Sequence, residues 1–96
     1  MVTISEMGRI IEKCQRIHYL RSDKPNHQVV QFYQKGERLS ADEIDLILNF
    51  IRENLPSTKP ENVTKVDVDG SDHVVINISQ ANPGELAELK KKLPSK

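Results

Sequence analysis

Tryptophan is absent from the 96 residues, cysteine occurs once, and the only aromatic rings are Tyr19, Phe32, Tyr33 and Phe50. A core drawn from this composition has to be aliphatic and thin. Thin cores leave little stability in reserve without staples, so association with itself or with a partner is a reasonable expectation. The lone Cys14 excludes an internal disulfide and suits a reducing compartment. Long apolar runs are missing as well: "LIL" at 46–48 and "VVI" at 74–76 fall far below the ~20 residues that span a bilayer. The opening MVTISEMGRIIEKC has neither the basic nor the apolar region of a signal peptide, so a soluble, cytoplasmic protein is expected.

Net charge is zero, yet the charges are segregated along the chain. Residues 1–38 hold seven basic against four acidic side chains, a surplus of +3. Residues 39–80 hold three against eight, a deficit of −5, and the last sixteen residues return to +2. Apolar residues make up 36 % of the chain and charged residues 29 %, a balance that argues against wholesale disorder. Ninety-six residues are expected to form one domain.

The element signals are uneven. "TISE" offers Thr3 as a helix cap with Glu6 three positions on, a capping box. Met7, Ile10, Ile11, Cys14 and Ile17 then recur at helical spacing, which predicts a helix over 3–20. Residues 24–35 are ambiguous. Pro25 and Gly36 read as helix start and stop, whereas Val29, Val30, Phe32 and Tyr33 favour a strand. The punctuation tips the reading towards a short helix. "SADEIDLILNFIRENL" is clearer: Ser40 and Glu43 form a second capping box, acids occupy the first turn, and Ile44, Ile47, Leu48, Ile51 and Leu55 make a stripe over 41–55.

Residues 63–79 read as a β-hairpin about Gly70. A two-residue turn would pair Val66 with Val75 and leave Val74, Ile76 and Ile78 on the opposite face. An odd loop instead pairs Val68 with Val74, Val66 with Ile76 and Thr64 with Ile78, collecting the apolar side chains on one face, and is the register expected. Asn82, Pro83 and Glu85 open a last helix over 83–93. The expected fold is α+β, with three or four helices packed on one face of a two-stranded antiparallel hairpin.

Chemistry-bearing motifs are few. "DVDGSD" at 67–72 superficially suggests calcium. Counted from Asp67, however, the glycine comes at position four rather than six, and the twelfth position is Ile78, so a hairpin turn is the better reading. Cys14 and His18, four apart on the expected helix, could be half a zinc site or a thiol–imidazole pair. A core cysteine beside a boundary histidine is favoured. Arg9, Lys13 and Arg16, extended by Arg21 and Lys24, form a basic stripe that could contact phosphates, with Tyr33 available to stack; the plainer alternative is a solvated face. No P-loop, G-x-G-x-x-G, H-E-x-x-H or G-x-S-x-G occurs, and neither an enzyme nor a cofactor is expected.

With residues 24–35 helical, the order helix, helix, helix, hairpin, helix resembles the winged-helix arrangement. The third helix would then be the reading helix, but it carries Asp42, Glu43, Asp45 and Glu53 against Arg52 alone and would repel DNA. The expectation is therefore a small non-catalytic protein-interaction or regulatory module. Its contact would be the basic first helix or the Val29–Tyr33 region, with β-augmentation if that region is an edge strand. A nucleic-acid-binding protein using the basic face of the first helix is the alternative. A metal or thiol enzyme built on Cys14 and His18 comes third.

Overall fold

Antiparallel pairing organises the computed structural model, which describes residues 2–20, 28–36, 38–66 and 73–96. Among them, the order is α1 (Ile4–Glu12), β1 (Cys14–Leu20), β2 (Val29–Gln34), α2 (Ala41–Asn54), β3 (Val63–Val66), β4 (His73–Ile78) and α3 (Pro83–Lys92). The strands form one four-stranded sheet in the order β1-β2-β4-β3. It is α+β, as expected, but a two-stranded hairpin under three or four helices is corrected to four strands and three helices. The winged-helix-like order goes with that correction, because residues 29–34 are a strand.

The first helix is half as long as its periodicity suggests. Thr3 caps it by accepting from the Glu6 N–H at 3.1 Å, but the Glu6 carboxylate accepts from the Thr3 hydroxyl rather than from its backbone. The helix stops at Lys13, and Cys14–Leu20 is extended. A bulge explains why this strand looks helical in sequence. Cys14 faces Gln34 and Arg16 faces Tyr33, so Gln15 is the extra residue. One inserted residue places Cys14 and Ile17 three apart on the same face, imitating helical spacing inside a strand. Beyond the bulge, Ile17 and Tyr19 face the helices while Arg16 and His18 face away.

β2 alternates in the same way. Val30 and Phe32 are buried, and Val29, Gln31 and Tyr33 are half-buried on the other side. Gly36 follows with φ +70°, a left-handed turn rather than a helix stop. β2 pairs with β1 on one side and β4 on the other, so Val29–Tyr33 is no edge and β-augmentation there is excluded.

The hairpin register also differs from the expected one. Val63 faces Ile78, Thr64 faces Asn77 and Val66 faces Val75, a shift of one residue. The expectation assumed one buried face. In fact β4 is interior, and Val74, Val75, Ile76 and Ile78 are all buried, so both faces of that strand tolerate valine. Its pairing with β2, Val30 to Ile76 and Phe32 to Val74, puts Val74, Ile76 and Ile78 under the helices. The aspartate turn at 67–72 lies outside the described residues.

α2 is the central helix. Its Ser40–Glu43 capping box is complete, and Ile47, Phe50, Ile51 and Leu55 are buried against the sheet. Arg52 donates to Pro60 O at 3.2 Å and Val63 O at 2.8 Å, tying the helix end to the start of β3. Asn82 caps α3, whose Leu89 and Leu93 complete the core. Beyond α3 the chain returns to β1, where Ile17 and Lys96 exchange backbone hydrogen bonds of 3.3 and 3.0 Å and so cover part of the outer strand.

Candidate binding surfaces

Every strand residue of the core cluster lies on the helix side of the sheet: Cys14, Ile17, Val30, Phe32, Val63, Val74, Ile76 and Ile78. The opposite face carries no helix among the described residues. A first row across it runs Arg16, Tyr33, His73, and a second runs His18, Gln31, Val75, Val66. Leu20 and Val66 are each 40 % exposed on this face, while Val75, between Gln31 and Val66, is only 6 % exposed.

The first row is a stack. Tyr33 and His73 lie with ring centroids 4.7 Å apart and planes inclined by 21°, and the Arg16 guanidinium sits 5.9 Å from the Tyr33 centroid. Directly opposed side chains on neighbouring strands are close enough for such contacts. The Tyr33 hydroxyl donates to Gln31 Oε1 at 2.9 Å. Tyr33 is thus held between a histidine and an arginine. No aspartate or glutamate occupies a described strand position on this face, and Arg16 is its fixed charge.

The expected basic stripe is not one surface. Arg9 is exposed on α1, Lys13 caps that helix and pairs with Glu43 at 2.8 Å, and Arg16 belongs to the sheet. Arg21 and Lys24 lie outside the described residues. Tyr33 and Arg16 are the two candidate residues brought together. Cys14 and His18 are separated by the sheet, the first buried under the helices and the second on the far face, so they form no ligand or catalytic pair. Burial pushes the Cys14 thiol up from its ordinary value, with Lys96 partly opposing and Glu43 adding.

His18 and His73 were not singled out with Tyr33 by sequence reasoning. The signal was present as period-two alternation in 16–20 and 29–33, obscured by the bulge and by the helix punctuation.

A second feature lies where the sheet meets α3. Tyr19, Gln28, Ile78, Ala81, Leu86 and Lys90 border a crevice of about 230 Å³. The Tyr19 hydroxyl donates to Leu93 O at 2.6 Å, and the Lys90 ammonium stands 5.3 Å from its ring centroid. Burial pushes the Tyr19 phenol well up from its ordinary value.

No family model matches the chain, and no curated protein or solved structure matches it. No helix among the described residues is long and apolar enough to cross a membrane.

Proposed function

We propose that this is a small non-catalytic binding module that engages an acidic, partly apolar protein segment through the uncovered face of its sheet. The observation that carries this reading is the composition of that face. Arg16 supplies positive charge, Leu20 and Val66 supply exposed apolar surface, and no carboxylate lies at its described strand positions. Apolar patches with a complementary polar surround are what transient protein contacts use.

The test is an NMR titration with a synthetic peptide of alternating glutamate and leucine, at low and physiological salt. The expected result is saturable amide shifts confined to residues 16–20, 29–33, 64–66 and 73–77, abolished by Arg16→Glu. Shifts confined to the helices, or none at low salt, would overturn it. Shifts in the same residues on raising the protein concentration alone would assign the face to a second copy instead.

A second reading, single-stranded nucleic acid on the same face, is favoured by the Arg16–Tyr33–His73 stack. Against it, Tyr33 already has His73 on one side and Arg16 on the other, so neither face of its ring is open to a base. Oligonucleotides at low salt separate the two: binding lost in Arg16→Glu but kept when Arg9 and Lys13 are both replaced by glutamate would favour the nucleic acid.

A further inference from the structure

We infer that the crevice between α3 and the ends of β1 and β2 binds a small carboxylate with an aromatic body and its own N–H or O–H donor. This inference does not rest on the partner reading above. Three observations converge on it.

The first is size and lining. A cavity of ~150 Å³ accepts benzene when its walls are apolar, so about 230 Å³ suits a one- or two-ring ligand. Ile78, Ala81 and Leu86 supply apolar walls, and the Tyr19 ring supplies an aromatic one. That ring cannot swing freely, because its hydroxyl is committed to Leu93 O.

The second is charge. Among the described lining residues Lys90 is the charged one and none is a carboxylate. The three lysines ending α3 have different settings. Lys91 pairs with Glu88 at 3.2 Å and Lys92 donates to Asn54 at 2.8 Å, both away from the crevice, whereas Lys90 is held against Tyr19. An ammonium beside an apolar wall gains more from an anion than one in open water.

The third is an acceptor without a donor. Gln28 lines the crevice, and its Oε1 is shielded from solvent with no hydrogen-bond partner among the described residues, a state that costs free energy until its amide turns into the crevice and meets a donor. Its backbone is anchored, since Gln28 O accepts from Ile78 N at 3.0 Å, so the side chain starts from a fixed point on the rim. A ligand with a ring N–H or phenolic O–H removes that cost. A plain fatty carboxylate does not.

The probes are indole-3-acetate, 1-naphthylacetate, which lacks the donor, and indole-3-ethanol, which lacks the charge. Binding is followed by ligand fluorescence, against a protein that has no tryptophan of its own. The expected result is saturable binding of indole-3-acetate with both other probes weaker by about tenfold. Lys90→Ala brings indole-3-acetate down to the level of indole-3-ethanol. Gln28→Leu abolishes the preference for indole over naphthalene while leaving the charge preference intact, a cycle that isolates each contact. Ala87→Trp on the exposed side of α3 fills the mouth and blocks all three. Circular dichroism establishes that each variant is folded. Failure of indole-3-acetate to saturate, or equal binding by folded Lys90→Ala, overturns the assignment.

Discussion

Cys14 shows how position overrides chemical potential at the scale of one residue. Its thiol is fully buried at the start of β1, and burial holds it above its ordinary value. Thiolate is the reactive form, so both access and ionisation are suppressed. Ellman's reagent at pH 8 should therefore label the native protein on the order of 100-fold more slowly than the guanidinium-unfolded chain, since reaction needs local opening. Labelling at the unfolded rate would show the thiol to be open. Glu43 is the opposite case. Its carboxyl is held below the usual carboxylate range, first by the hydrogen bond from Lys13 and then by the Ser40 cap. A depressed carboxyl contributes stability above its unfolded value and loses it as pH falls through the folded one. Urea unfolding should show Glu43→Gln weaker than the parent at pH 7 by less than about 1 kcal/mol, because the pair is solvent-accessible. The difference should vanish once the pH falls below the folded value. Ser40→Ala, which removes the cap oxygen itself, should cost about 1 kcal/mol at neutral pH.

At the scale of the element, two adjacent rings on β2 face different worlds. Phe32 is fully buried under the helices, and Tyr33 stands on the open face between Arg16 and His73. Phe32→Ala leaves a cavity in the core and should cost ~3–5 kcal/mol, whereas Tyr33→Ala gives up a surface stack worth ~0.5–1.5 kcal/mol. Equal losses in chemical denaturation would mean that the open face is packed like the core. The helices that begin at Ser40 and Asn82 were legible because their caps and stripes agree with one another. The strands Cys14–Leu20 and Val29–Gln34 were not, because local punctuation competed with them. Gln15 disguised a period of two as a period of three, and Gly36 looked like a helix stop. The propensity of Val29, Val30, Phe32 and Tyr33 was the truer signal. The candidate site suffered from the same mistake. Arg16 and Tyr33 were both marked, but only the sheet brings them together. Lys90 and Gln28 carry no spacing that a sequence could reveal, since their relation exists only between α3 and the residue before β2.

The whole molecule consists of two sequence-local hairpins, β1–β2 and β3–β4, joined in one sheet by the β2–β4 pairing and bridged by α2. Each hairpin alone would be marginal in water, so the seam between them is where the fold becomes cooperative. The outer strands are less exposed to pairing: Lys96 exchanges hydrogen bonds with Ile17 on β1, and Arg52 occupies Val63 O on β3. Gln31 lies mid-seam, with its side chain on the open face opposite Val75 and His18. Because β2 is flanked on both sides, its N–H groups serve the ladders towards β1 or β4, and proline at position 31 must remove one and strain the pleat. Gln31→Ala should stay folded, as its side chain contributes little to the core. Gln31→Pro should lose several kcal/mol, a large share of the ~5–15 kcal/mol that separates native from unfolded domains. Hydrogen exchange gives the decisive reading. If the halves fold as one unit, Gln31→Pro deprotects the ladder amides of β1 and β3 together, although no β3 residue pairs with β2. Loss of protection in β1 and β2 with β3 and β4 still guarded would instead mean that α2 and the second hairpin hold together without the seam.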